Sequence, residues 1–283
     1  MPIGFNLLLW TTHLTAEHLP ILRALKSAGY DGVEVPVFGG DPAYYRGLKS
    51  MLDGEALRST VVGIVQDVAR NPLSATHETA GVDYLKWLVD CAVALGAEVL
   101  GGPFYQPLGQ FSGLPVSDAE WQRLIRTQTA MADHAGDAIT LAVEPLNRFE
   151  CYALNICAQA ADLVRAVNRP NYGYLFDTFH ANIEERDPIA ALAATLPHVS
   201  HIHISENDRG TPGRGHAPIT AAIQTAMRAG YTGWLTVEAF GHALPDIAAA
   251  TRVWRPLFGS TEEVTSEAIS LIRQSLAGGS YAH

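Results

Sequence analysis

A chain of 283 residues is long enough for one large α/β barrel or two small domains, and 48% hydrophobic with 17% charged residues suits a globular protein with a large core. A net charge of −10 with no lysine or arginine cluster argues against nucleic acid or an anionic membrane as partner and fits a small neutral ligand. The three cysteines, Cys91, Cys151 and Cys157, match no zinc or CxxC spacing and read as reduced thiols of a cytoplasmic protein, and no run reaches the roughly 18–20 apolar residues of a membrane span.

In chain order, "IGFNLLL" (3–9) predicts a first strand rather than a signal peptide, since it has no basic region before it and no small-residue cleavage site after it. "TAEHLPILRALKSAGY" predicts a helix with Thr15 as its cap and Gly29 as its stop. Strands follow at "GVEVPV" (32–37) and "TVVGIVQ" (60–66), then a helix in "VDYLKWLVDCAVALGA" that stops at Gly96. After the strand "EVLGGP" (98–103), Ser117 and Glu120 form a capping box at the head of "SDAEWQRLIRTQTAMADHAG". Three further strands are "ITLAVE" (139–144), "YGYLFD" (172–177) and "VSHIHI" (199–204). The helical "ITAAIQTAMRAGYTG" precedes the last strand, "WLTVEAF" (234–240), and "STEEVTSEAISLIRQSL" reads as a closing helix.

Strands alternating with helices predict a parallel sheet with right-handed crossovers. Eight strands spaced by 25–40 residues predict a single (β/α)8 TIM barrel, for which about 250 residues is typical, with a doubly wound open sheet as the alternative. No linker, low-complexity segment or repeated motif interrupts the chain, so residues 1–283 read as one barrel domain with a C-terminal helix.

Chemistry in such a barrel sits at the C-terminal ends of the strands. Four consecutive predicted strands end in a possible metal ligand: Glu144, Asp177, His203 and Glu238, separated by 33, 26 and 35 residues. Neighbouring strands lie about 4.8 Å apart, so these side chains can converge on one ion. An ionised carboxylate at the end of a buried strand is costly unless paired or coordinated, and a divalent cation supplies the partner. Three carboxylates and one imidazole form a hard, mostly oxygen set suited to Mn²⁺, Mg²⁺ or Co²⁺. Taken singly, each has a plainer reading: Asp177 as a cap of the next helix, His203 as a core histidine, with His201 facing the same side by strand alternation.

"VEPLNRFE", "DTFHANIEE", "HIHISENDRG" and "VEAF", spanning residues 143 to 240, resemble the ketose 3-epimerases: the D-tagatose, D-allulose (psicose) and L-ribulose 3-epimerases, within the barrel superfamily of sugar isomerases and endonuclease IV. The resemblance implies one divalent ion per chain, Mn²⁺ first with Co²⁺ or Mg²⁺ as alternatives, on Glu144, Asp177, His203 and Glu238. It also implies substrate contacts at Glu150, His180 and Arg209, a free ketose as substrate, and a homodimer or homotetramer. The chain departs from the pattern near its N-terminus, where aromatic residues often line the far end of the sugar pocket and this sequence offers Asn6 and Leu14.

Inverting a carbon beside a ketone requires a proton to leave one face and another to arrive on the opposite face. Glu144 and Glu238, from the fifth and eighth strands, are the expected catalytic pair, working through a cis-enediolate stabilised by the metal. A coordinated cation lowers a glutamate pKa, while burial and neighbouring negative charge raise it. Asn147 and Arg148 read as loop-ordering residues, and the glycine-rich "GRGHAP" (213–218) lacks the lysine pattern of a phosphate loop. The competing readings are an aldose–ketose isomerase or 3-keto-sugar epimerase on the same metal, an AP endonuclease-like phosphodiesterase, and a non-catalytic sugar-binding module. The missing basic groove counts against the phosphodiesterase, and the opposed glutamates against the binding module.

Overall fold

The computed structural model describes residues 1–278. Its eight parallel strands close into a barrel in sequence order: β1 (Ile3–Asn6), β2 (Gly32–Pro36), β3 (Arg58–Val62), β4 (Val99–Gly102), β5 (Thr140–Val143), β6 (Tyr172–Asp177), β7 (Val199–Ile204) and β8 (Leu235–Val237). The expected TIM barrel is therefore the observed fold, and the open sheet is excluded by the β1–β8 pairing. The predicted strands all form, shortened at several ends. At 3–9, β1 gives way at Leu7–Leu9 to a 3₁₀ turn capped by the Asn6 side chain, which accepts the Leu8 N–H at 2.8 Å.

Ten helices wrap the barrel among the described residues: α1 (Leu19–Ala28), α2 (Pro42–Gly54), α3 (Glu78–Leu95), α4 (Asp118–Ala135), α5 (Cys157–Val167), α6 (Thr178–Glu184), α7 (Pro188–Thr195), α8 (Ile219–Arg228), α9 (Pro245–Thr251) and α10 (Thr261–Leu276). The expected stops at Gly29 and Gly96 both lie in the left-handed region that favours glycine, and the Ser117–Glu120 capping box forms. The helix–sheet layer holds the main apolar core, while Trp234, Val99, Ala142 and Leu175 form a separate cluster. The Trp234 indole donates to Glu98 at 3.1 Å, under the Arg58 guanidinium.

One irregularity bears directly on the site. The β6–β7 register shifts by one residue between Tyr174 and Leu175, so that Leu175 pairs with His201 and Asp177 with His203. The extra residue is Ser200, and only a glycine at 173 makes room for it: a Cβ there would stand 2.0 Å from the Ser200 hydroxyl. No helix among the described residues is long and apolar enough to cross a membrane, and Cys91, Cys151 and Cys157 are buried free thiols.

Candidate active site

The ends of β5 to β8 bring four side chains together. Glu144, Asp177, His203 and Glu238 are all buried, and His203 Nδ1 lies 4.0 Å from Glu144 Oε1, 3.8 Å from Asp177 Oδ2 and 3.6 Å from Glu238 Oε1. These separations exceed hydrogen-bond lengths. They leave room for an ion among the four groups, which these side chains would hold. Neither ring nitrogen of His203 makes a hydrogen bond although both are fully buried; Nε2 lies against the Glu34 carboxylate, while Nδ1 faces the three carboxylates at distances too long to satisfy it, which a ligand would complete. The ligand atoms of Glu144, Asp177 and His203 lie within 4.8 Å of one another, so these buried groups could hold a metal ion. The donor set fits a hard divalent cation.

Asp177 divides its work. Oδ1 caps α6 by accepting from the N–H groups of Phe179 at 2.6 Å and His180 at 3.4 Å, and Oδ2 faces the cluster. The plainer reading of Asp177 as a helix cap and the ligand reading are thus compatible in one residue. The α6 cap also sets His180 in the first turn, where its Nδ1 accepts the Asn147 N–H at 3.0 Å. That bond leaves Nε2 as the protonated nitrogen of a neutral ring, 2.8 Å from Nη2 of Arg209. Burial, then the Arg209 charge, hold His180 down at about 4, so it stays neutral at ordinary pH.

Arg209 approaches from the loop after β7. Its backbone is left-handed (φ 67°), pinned by its N–H to the Glu206 carbonyl and by its own carbonyl accepting from Phe240 N, both at 2.9 Å. The strained backbone aims a buried guanidinium at the cluster: Nη1 reaches Glu238 Oε2 at 2.6 Å and Asp177 Oδ2 at 3.0 Å, and the guanidinium stacks 3.8 Å above Phe179. Burial alone would raise Asp177, but Arg209 and the two histidines outweigh it and hold this carboxyl well below the usual range. Burial dominates at the two glutamates, lifting Glu238 to about 7 and Glu144 well above its ordinary value, against the charges of Arg209 and His203. Burial would lower His203, yet the carboxylates of Glu34 and Glu238 hold it high.

These groups face an open pocket whose lining includes Glu144, Glu150, His180, Arg209 and Glu238 together with apolar side chains such as Leu8, Phe38, Ile64, Leu108 and Phe240. Asn147 orders the loop after β5: Nδ2 donates to Glu150 Oε1 at 2.7 Å and Oδ1 accepts from Phe149 N. Arg148 is exposed and pairs with Glu184, in keeping with a loop-ordering role. The glycine-rich segment has spent its N–H groups. Gly213 and Ala217 donate to the Glu206 carboxylate and His216 to Asn207 Oδ1, and a Cβ at residue 215 would stand 2.0 Å from that same oxygen.

Sequence reasoning misplaced two residues and missed another: Asn6 does not line the pocket but is buried beneath it, donating to Glu34 and Glu238. Leu14 is core, not pocket; the 3₁₀ turn after β1 carries Leu8 to the cavity instead, and Leu14 is buried with its carbonyl accepting the Tyr44 hydroxyl at 2.5 Å. Glu34 of β2 was missed. It lies fully buried inside the barrel, 3.0 Å from His201 Nε2 and 2.8 Å from His203 Nε2. A lone acid between valines in "VEV" was its visible signal.

Comparison with known proteins places this geometry. Residues 22–274 match the model of the xylose isomerase-like TIM barrel family. The chain is 30% identical over 274 residues to a probable ketose 3-epimerase of Synechocystis sp., covering 96% of each chain. It is likewise 30% identical over 281 residues to a ketose 3-epimerase of Arthrobacter globiformis, covering 98% of this chain and 97% of the relative. Among solved structures it is similar to a D-allulose 3-epimerase from Methylomonas sp. in complex with D-allulose, with a TM-score of 0.89, 25% identity and 97% of both chains covered.

Proposed function

We propose, for a chain that belongs to the xylose isomerase-like TIM barrel family and within it to the ketose 3-epimerases, that it inverts C3 of a free ketose with Glu144 and Glu238 as the two bases. The observation that carries this is the pairing of two buried carboxyls from β5 and β8 on one cavity, both raised by burial in the metal-free chain, Glu238 to about 7. A base with a pKa near the working pH moves protons in both directions, as an exchange at C3 requires.

Glu144, Asp177, His203 and Glu238 would hold one divalent ion, which we read as Mn²⁺. When bound, the ion would draw electron density from the oxygens at C2 and C3 and so acidify the C3 proton. One glutamate takes that proton from one face and the other returns a proton to the opposite face. His180 Nε2 and Arg209 Nη2 stand 2.8 Å apart on the cavity wall, and the guanidinium brings N–H donors to it. A sugar oxygen at the C1–C2 end suits that place, and Glu150, fixed by Asn147, supplies an acceptor beside it.

Two features support an unphosphorylated substrate. Arg209 is the one cation among the described residues lining the cavity, and it is already paired with Asp177 and Glu238. The glycine-rich loop has no free N–H cradle at Gly213, His216 or Ala217. The relatives named for D-allulose, D-psicose and L-ribulose set the range of substrates. We further read residues 1–283 as one domain of a cytoplasmic homodimer or homotetramer.

Mn²⁺-loaded protein assayed against free ketohexoses and ketopentoses, with products identified by NMR, tests the reading. Interconversion of C3 epimers is expected. Aldose products, or turnover confined to 3-keto sugars, would replace it with another reaction at the same site.

A further inference from the structure

The proposed chemistry leaves unused the buried carboxylate of Glu34. It enters from β2, across the barrel from the strand ends that carry the candidate ligands, and four polar side chains surround it: two hydrogen-bond donors, Thr60 and Asn6, and two imidazoles at ion-pair distance, His201 and His203. Oε1 accepts from the Thr60 hydroxyl at 3.1 Å and lies 3.0 Å from His201 Nε2. Oε2 accepts from Asn6 Nδ2 at 2.8 Å and lies 2.8 Å from His203 Nε2. The same Asn6 amide donates to Glu238 Oε1 at 3.2 Å, and Asn6 Oδ1 is fixed by the Leu8 N–H. Glu34 thus touches one member of the ligand cluster directly and a second through a single amide.

We infer that Glu34 is a positioning residue: it fixes the His203 ring with Nε2 toward itself and Nδ1 toward Glu144, Asp177 and Glu238, and it holds Asn6 where Asn6 orients Glu238. The inference rests on the reading of His203 as a metal ligand. An imidazole on a Cβ stem can flip about its last bond, and only one face of the flip presents Nδ1 to the carboxylates. A carboxylate behind a ligating histidine fixes ring orientation and raises ligand basicity, and removing such a partner typically costs on the order of 10–100-fold in metal affinity. Glu34 is fully buried and lies outside the cavity lining, so it acts without touching substrate. His201, on the same carboxylate, gives Glu34 a second fixed neighbour that locks its own rotamer.

The test uses two variants and two readouts. Glu34→Gln keeps the size and removes the charge; Glu34→Asp keeps the charge and withdraws it by one methylene from the His203 ring. The first readout is Mn²⁺ affinity by calorimetry on the full chain. Both variants are expected to bind on the order of 10–100-fold more weakly than wild type. The second readout needs no metal: in ¹⁵N-labelled wild-type protein, a His203 ring N–H resonance shifted downfield by the nearby carboxylate is expected and should be lost in Glu34→Gln. Wild-type affinity in either variant, or a wild-type spectrum without that resonance, would overturn the assignment. Should Glu34→Gln fail to fold, Glu34→Asp and the wild-type spectrum still decide. Wild-type protein that shows the resonance and binds no Mn²⁺ would sink the metal reading and with it Glu34's role toward a ligand.

Discussion

The two halves of the barrel share a backbone plan and differ in what stands at their strand ends. At or just beyond the ends of β5 to β8 stand Glu144, Asp177, His203 and Glu238, each carboxylate with an oxygen within 4.0 Å of His203 Nδ1. β1 to β4 finish on Asn6, Pro36, Val62 and Gly102, and the segments just beyond give the cavity Leu8, Phe38, Ile64, Pro103 and Leu108. Ionisable groups are gathered on one arc because buried charges are tolerable only where they can compensate one another, and spreading them around the ring would leave each alone. The opposite arc is free to be apolar and to set shape. Glu34 is the exception: a first-half carboxylate that serves the second half from below.

The strongest test of this division is loss of the bases. Glu144→Gln and Glu238→Gln preserve size and one oxygen but remove the proton acceptor, and each is expected to lower turnover on the order of 10³-fold or more, with some metal retained. In D₂O, wild-type product should carry deuterium at C3, and a variant lacking one base should at most exchange substrate without inverting it. Efficient epimerisation by either variant rules out the pair, and product without deuterium points to internal return or a hydride route.

The polar arc should next respond to its donors. His180→Ala, Arg209→Ala and Glu150→Ala are each expected to lower kcat/KM by about 10²-fold while one equivalent of ion remains bound. Arg209→Ala is the informative member. Because Nη1 neutralises Asp177 and Glu238, its removal leaves those carboxylates to the cation alone, and metal affinity should hold or rise. Loss of metal with unchanged substrate response would mean that Arg209 belongs to the ion's site rather than the sugar's.

The carboxylate arc also predicts a pH dependence confined to the metal-free protein. Glu238 is raised from its ordinary value to about 7, so it favours the folded state while protonated, and that contribution is lost as pH rises through 7. Glu144, also raised by burial, contributes with the same sign. His180, lowered to about 4, acts oppositely, adding stability as pH rises from 4 to its ordinary value of 6.5, and is spent above that. Stability of the metal-free chain is therefore expected to fall once His180 is spent, from about pH 6.5 through 7, less steeply in Glu238→Gln. Mn²⁺ needs the ionised carboxylates and binds only the folded state, so its stabilising effect should grow over the same interval, as melting curves with and without chelator would read. A chelated protein with full activity would remove the metal from the account.

What the sequence made legible follows the same division. The ligand set could be read because each member sits at the end of an apolar run, where a charged residue is conspicuous, and because the βα spacing repeats. The eight strands could be read from the alternation of runs, but their ends could not. The halt of β1 at Asn6 depends on a side-chain cap to Leu8, and this moved Leu14 out of the pocket and Leu8 into it. The Ser200 bulge, which sets His203 opposite Asp177, needs Gly173 on the neighbouring strand and so belongs to a pair, not to either segment alone. Glu34 carried a signal but no partner in its own segment; its histidines lie more than 160 residues away in the chain. The left-handed backbone of Arg209 was invisible for the same reason, being held by Phe240 from the far side of β8.

The smallest expected effect lies on the apolar arc and is the finest probe of the comparison. Ile64 is half-buried on the cavity wall beyond β3, its carbonyl engaged by the Tyr84 hydroxyl at 2.8 Å, so its backbone is held independently of its side chain. Ile64→Ala removes apolar surface that a bound sugar would cover and no group that changes charge during the reaction. Contact of this kind acts equally on bound substrate and transition state, so it should appear in KM and leave kcat alone. Losing one to two methylene equivalents of contact is worth about 1 kcal/mol, or roughly a 5-fold rise in KM. The same substitution should leave the metal affinity and the pH dependence of the metal-free protein unchanged, because Ile64 carries neither a ligand atom nor an ionisable group. A kcat lowered in step with kcat/KM would mean that the apolar arc helps to shape the transition state, and that the division of labour between the two halves is less sharp than the arrangement of their strand ends implies.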